Sequence, residues 1–157
     1  MSKRECGACT ACCQGWLSSD DLDMRPGRPC RHCTAQGCAI YENRPEDPCV
    51  RFRCGWLTQE SEFPEDMRPD RSGVIVLLDR NWRDWVVLRA IPAGQSVPAD
   101  SLEWLRVHAQ KLKLPLVFHE RIVQEGEFIG TRARAYGPPA FADAVRYGIG
   151  PEDVIKM

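Results

Sequence analysis

The placement of cysteine constrains this chain more than any other feature of its sequence. All nine cysteines fall between Cys6 and Cys54, and the remaining two thirds of the chain contain none. An odd count that includes the adjacent residues Cys12 and Cys13 does not suit a closed set of disulfides. Thiols spaced this closely in a reducing compartment are typical metal ligands. The sequence therefore predicts a metal-binding module in the first third of the chain.

The cysteines form two groups with different spacings. The first has the pattern C-x2-C-x2-C-C, and the second contains another pair separated by two residues, together with three more dispersed cysteines. Two cysteines three positions apart can hold one ion, whereas the side chains of adjacent residues diverge. We therefore expect the double cysteine to supply two metal positions, or to leave one sulfur bridging or outside the coordination shell. The candidate ligands are Cys6, Cys9, Cys12, Cys13, Cys30, Cys33, Cys38, Cys49 and Cys54.

The number of sulfurs leaves the number of ions open. Eight suffice for two four-coordinate sites with one left over, and nine also match a bridged cluster of three ions. His32 is a further candidate ligand in place of Cys33, although a polar loop residue is the simpler interpretation. Several arginines lie beside cysteines in the sequence, where they are expected to offset the negative charge of thiolate sites. They are Arg4, Arg28, Arg31, Arg51 and Arg53.

Zinc is the expected metal, with two or more ions, because it accepts tetrahedral sulfur ligation and has no redox chemistry. Iron or an iron–sulfur cluster, acting as a redox centre or a metal store, is the alternative. Cys6, Cys9 and Cys12 match the first three positions of the bacterial ferredoxin run. The fourth position of that run is Trp16 in this chain, so any further ligand would have to come from the second group.

The same residues resemble the YkgJ-type cysteine cluster family, the zinc- or iron-chelating CxxCxxCC domain. The resemblance covers roughly residues 6–57 and includes the segment GCAIYENRP at 37–45. It implies a bacterial protein that chelates metal through eight of these cysteines, with Cys33 as the extra one. A similar cysteine region occurs in flagellin lysine methylases, but this chain has no glycine-rich motif that would support S-adenosylmethionine binding.

The rest of the sequence predicts an α+β fold, in which a loop-rich cysteine module packs on a small, mainly antiparallel sheet with one or two helices. We expect a Cys-rich module over 1–60, a connector over 61–72 and an α+β unit over 73–157, docked as one globule. Apolar runs at 74–78 and 85–91 predict a hairpin, with its turn at 79–81. Helical periodicity follows a predicted N-cap at 98–101, and further strands are expected at 116–118 and 127–135, followed by a short helix at 141–147.

Composition narrows the function classes. The net charge of −1 does not favour nucleic acid as a partner, and no apolar run approaches the ~20 residues of a membrane helix. The first residues lack the apolar stretch of a signal peptide, so we expect a cytoplasmic protein. No catalytic triad, phosphate loop or dinucleotide motif is visible, and we assign His108 to a helix and His119 to a strand end. The expected function is therefore a metal-stabilised binding or adaptor module for a protein or small molecule, rather than an enzyme.

Overall fold

The computed structural model describes residues 4–14, 19–24, 28–82 and 84–141, and it confirms the predicted α+β class. The strands are β1 (Cys33–Thr34), β2 (Gly37–Cys38), β3 (Val74–Trp82), β4 (Trp85–Pro92), β5 (Leu116–Gln124) and β6 (Glu127–Tyr136). The helices are α1 (Gly55–Thr58), α2 (Pro69–Ser72) and α3 (Ala99–Leu112). Shorter helical turns cover Cys12–Gln14, Tyr41–Asn43, Glu46–Val50 and Glu65–Met67.

Four strands form the main sheet, in the order β3-β4-β5-β6. The β3/β4 and β5/β6 pairs are antiparallel hairpins, whereas β4 and β5 run parallel, with Leu88 opposite Leu116. Parallel neighbours require a crossover connection, and α3 provides it here. In the described part of the first third of the chain, the strands are the two-residue β1 and β2, with one isolated bridge between Ser19 and Met24, in keeping with a loop-rich module.

The two faces of the sheet bury different partners. Leu88, Ala90, Leu116 and Phe118 point to the face that packs against Leu105 of α3, where the largest apolar core lies. The opposite face carries another apolar cluster, which packs against cysteines of the first third of the chain. That cluster consists of Ala11, Ile75, Leu77 and Ile91. The strand alternation of the sequence thus separates a helix-covered face from a face that carries the cysteines.

Helix α3 forms where the periodicity predicts it, but its N-terminus differs from the prediction. Pro98 occupies the N-cap position, and no side chain caps the helix. The buried Ser101 hydroxyl instead donates a hydrogen bond of 2.6 Å to the backbone carbonyl of Ser72. The predicted capping residue therefore ties α3 to α2.

Three further expectations can be compared with the structure. The segment 61–72, expected to be a connector, contains helical turns and buries Phe63 and Met67 in the same core as α3. The first hairpin turns later than expected, because β3 continues to Trp82. The helix expected at 141–147 lies outside the described residues beyond Phe141. Among the described residues, no helix combines the length and apolar character needed to cross a bilayer.

Candidate metal centre

All nine cysteines line one cavity between the N-terminal loops and the sheet. The cavity encloses about 70 Å³, far less than the roughly 300–1,000 Å³ of pockets that take organic ligands. All nine are present as free thiols. The structure therefore brings all nine predicted metal ligands to the wall of one small cavity.

Tight backbone turns position the C-x2-C pairs Cys6/Cys9 and Cys30/Cys33. The amide of Cys9 donates to the carbonyl of Cys6 at 2.9 Å, and the amide of Cys33 donates to that of Cys30 at 3.1 Å. The amide of His32 also donates to the sulfur of Cys30 at 3.4 Å. Each turn places its two thiols on the same side of the chain, which is the arrangement that a C-x2-C metal grip requires.

Gly37 allows the second group of cysteines to approach the first. Its φ of +125° is a backbone conformation that residues with a side chain rarely adopt. A Cβ there would also lie 3.1 Å from the carbonyl oxygen of Gly7. Glycine is therefore required at this crossing of two loops. The adjacent Cys38 lies directly opposite Cys33 in the β1/β2 ladder, so one short hairpin directs two sulfurs to the cavity.

The last two cysteines come from segments that lead to the sheet. Cys49 lies in the helical turn Glu46–Val50, and Cys54 is the N-cap residue of α1. Cys54 packs against the apolar cores on both faces of the main sheet. The segment that contains it therefore covers part of each face. The cavity is thus attached to the sheet through Cys54 and the helix that follows it.

Burial and mutual proximity disfavour thiolates in the absence of an ion. Desolvation, followed by the neighbouring charges of Cys6 and Cys9, raises the pKa of Cys12 far above its usual value. Desolvation also raises the pKa of Cys13 far above its usual value, with Cys12 and Cys33 contributing, and burial raises that of Cys54 to about 11. These thiols carry protons at neutral pH, and a thiophilic ion that binds here has to displace them.

Two arginines lie against the sulfurs. The Arg44 guanidinium stacks over the Tyr41 ring at 3.9 Å, and its Nη1 atom lies 4.0 Å from the sulfur of Cys6. Desolvation opposes the charged form of Arg68, but Asp70 and Cys9 outweigh it and raise the pKa of Arg68. Both cations can offset negative charge on thiolates.

The arginines that lie beside cysteines in the sequence were expected to offset thiolate charge. In the structure they make other contacts or are exposed. Arg4 stacks over Trp56 at 4.6 Å, Arg28 pairs with Asp23 at 2.9 Å, and Arg31 donates to the carbonyl of Asp21. Arg51 and Arg53 are exposed. Arg68 was missed because it lies far from Cys9 in the sequence and no local pattern marks it.

The histidines occupy three different environments. His32 lines the cavity with the cysteines. His108 lies on α3, stacked on Trp104, as a helix side chain. His119 is not at a strand end as expected, since β5 continues to Gln124 and leaves the residue inside the strand and only 2% exposed.

The donor set suits a thiophilic ion, because nine thiols from four separate segments reach one small space. Within the described part of the chain, however, no three Cys, His, Asp or Glu side chains form a group ready to hold an ion. The sulfurs share the cavity but are not drawn together at one point. Ion binding would therefore require side-chain rearrangement inside the cavity.

Comparison with known proteins adds no family. No protein-family model, curated protein or solved structure matches this chain.

Proposed function

We propose that this chain is a metal-binding protein whose N-terminal cysteines hold zinc ions as thiolates and thereby stabilise the fold. The single observation that supports this function best is the lining of one cavity by all nine sulfurs. The nine cysteines are spread over about 50 positions of the sequence, yet they meet at this cavity. If they were only small apolar core residues, we would expect them to be distributed through the core. Metal ligation is the chemistry that requires such convergence in a reducing compartment.

The ions would act mainly as structural ties. The loops that carry the cysteines have little hydrogen-bonded secondary structure, with only two residues in each of β1 and β2. Coordination bonds can substitute for the apolar core that such loops lack. Because Cys54 leads directly into α1 and the main core, bound ions would also fasten the loops to the sheet.

Zinc fits this role better than iron does. Closed sites made only of thiolates are typical of structural zinc, which contributes folding energy without redox chemistry. In the described part of the cavity wall, the polar side chains besides cysteine are His32, Tyr41 and Arg44. None is a carboxylate, whereas hydrolytic zinc sites commonly include carboxylate or several histidine ligands and an open position. A binding or adaptor role for the α+β unit is part of the same proposal.

The test is to purify the protein anaerobically, without added metal, and to measure its elements and visible spectrum. We expect stoichiometric zinc, about two ions per chain, and a colourless solution. A brown protein that contains iron and sulfide would instead support the redox or storage alternative. A folded, metal-free protein, or one whose cysteines are joined as disulfides in the cell, would refute the proposed function.

A further inference from the structure

The nine sulfurs divide into two sets that pack against different surroundings. Cys6 and Cys54 contact the core on the helix-covered face, and Cys9 and Cys54 contact the cluster on the opposite face. All three are therefore packed onto the main sheet and its adjoining helix. We call these residues, together with Cys12, the sheet-side sulfurs.

A second set gathers away from the sheet. Cys13, Cys33 and Cys49 pack against a small cluster formed by the buried residues Leu22, Met24 and Cys30. That cluster contains no residue of the main sheet. The amide of Cys30 donates to the carbonyl of Cys13 at 2.8 Å, which joins the two cysteine groups of the sequence at this point.

Cys38 belongs with this second set. It lies directly opposite Cys33 in the β1/β2 ladder, so the short hairpin places it beside a member of this set. We call the five residues the loop-side sulfurs. They are Cys13, Cys30, Cys33, Cys38 and Cys49.

Cys12 is the residue at which the two sets meet. It packs against the Ile75, Leu77 and Ile91 cluster and also against the loop-side cluster. Its neighbour Cys13 packs only in the latter. Of the two adjacent cysteines, Cys12 therefore belongs to the sheet-side set and Cys13 to the loop-side set.

Building on the proposed metal-binding function, we infer that the cavity holds two separate, non-equivalent ions. One is ligated by the sheet-side sulfurs Cys6, Cys9, Cys12 and Cys54. The other is ligated by four of the five loop-side sulfurs. Four sulfurs complete a tetrahedral zinc or cadmium site, so each set is large enough to hold one ion.

The charge environment of the two sites differs. Arg68 interacts with Cys9 of the sheet-side set, and Arg44 lies 4.0 Å from the sulfur of Cys6. Arg44 also lies near Cys49, so the loop-side site has one of these cations nearby, whereas the sheet-side site has both. An ion surrounded by four thiolates carries excess negative charge, and nearby guanidinium groups stabilise it. The two ions should therefore give distinguishable spectroscopic signals.

The experiment replaces zinc with ¹¹³Cd²⁺ and combines cadmium analysis with ¹¹³Cd NMR. We expect two bound ions and two resonances in the wild-type protein. The double substitution Cys30→Ser with Cys49→Ser should remove one ion and one resonance and leave the other in place. Cys9→Ser with Cys54→Ser should remove the resonance that the loop-side variant keeps.

If the sheet-side double variant does not fold, the single substitution Cys54→His replaces one sulfur by a nitrogen ligand. It should shift only the resonance that survives in the loop-side variant. His32→Asn tests the all-sulfur ligation, since His32 lines the same cavity without a sulfur, and it should keep both resonances. Glu42→Gln is the matched control, since Glu42 is exposed in the same module and does not line the cavity.

The two proposals fail in different ways. A wild-type protein that binds neither zinc nor cadmium refutes the metal-binding function itself. A single bound ion, ¹¹³Cd–¹¹³Cd splitting, or loss of both ions from a loop-side variant with an intact far-UV spectrum overturns the two-site assignment alone. Loss of a resonance in His32→Asn would overturn the assignment of sulfur ligands alone to both ions.

Discussion

Arg44 connects the cysteine cavity to the loop that surrounds it. Its Nε atom donates to the carbonyl of Tyr41 at 3.0 Å, its guanidinium stacks on the Tyr41 ring, and its Nη1 atom reaches Cys6. It also lowers the pKa of Cys49, against the larger effect of burial. One side chain thus fixes a loop and favours the thiolate form that binds metal.

Replacing Arg44 by Gln should weaken zinc binding by about tenfold, because the thiolates lose a neighbouring cation. The measurement is zinc competition against a chromophoric chelator at fixed pH. Arg51→Gln is the control, since Arg51 is exposed and belongs to the same module. Equal affinity in the two variants would contradict a role for Arg44 at the site.

His119 is an ionisable residue buried inside the sheet. Desolvation, with a further contribution from Arg89, lowers its pKa from 6.5 to about 4. In the unfolded chain the imidazole takes up its proton near pH 6.5, whereas the folded protein resists protonation until about pH 4. Between these values the unfolded state binds more protons, so acid favours unfolding.

Relative to His119→Gln, the wild-type protein should lose up to about 2 kcal/mol of unfolding free energy between pH 7 and pH 5. Urea denaturation of both proteins across this range measures the difference. Acid release of metal affects both proteins alike and cancels in the comparison. If both proteins lost the same unfolding free energy across this pH range, the pKa of His119 would be the same in the folded and unfolded states.

At the scale of elements, the junction between α2 and α3 depends on a glycine. Gly73 ends α2 in the left-handed conformation, with φ of +76°, and a Cβ there would lie 2.7 Å from Cγ of Pro98. The Ser101 hydroxyl bonds to Ser72 beside it. The close contact of the two helices at this point therefore requires a residue without a side chain.

Gly73→Ala should destabilise the protein by about 2 kcal/mol, because both the backbone conformation and the contact with Pro98 become unfavourable. Equilibrium urea unfolding measures the change. Gly94→Ala is the matched control, since a Cβ there meets no atom within 4 Å. A similar loss in both variants would argue against a specific requirement at Gly73.

At the scale of the whole molecule, the cysteine loops and the sheet share buried surface. Trp56 and Leu57, which follow Cys54, belong to the same core as the strands and α3. Phe52 packs against the Ile75, Leu77 and Ile91 cluster of the sheet and also against the Leu22 and Met24 cluster of the loops. Any loosening of the cavity should therefore extend to the main core.

Cys9→Ala should lower metal content and reduce the free energy of unfolding by several kcal/mol, because structural metal-binding energy is largely folding energy. Thermal unfolding and element analysis of the same samples provide the measurement. A chelator should lower the stability of the wild-type protein in the same direction. The exposed Glu42→Gln serves as the control, and unchanged metal content and stability in Cys9→Ala would contradict the prediction.

Some elements were predictable because their signal is local. The spacing of Leu102, Leu105 and Ala109 predicted α3, apolar runs located parts of β3, β4 and β5, and the segment 127–135 was correctly predicted as a further strand, β6. The run at 116–118 marked only the buried start of β5. Strand β5 continues beyond Phe118 because β6 supplies backbone hydrogen bonds there, and this pairing places His119 inside the strand.

The sequence by itself determined that nine thiols lie close together in the first third of the chain, and from this spacing it predicted metal ligation. Only the tertiary structure decided which sulfurs are neighbours and that Arg68 interacts with Cys9. It also decided that β4 and β5 run parallel. These features arise from contacts between residues far apart in the chain, and such contacts leave no local pattern in the sequence.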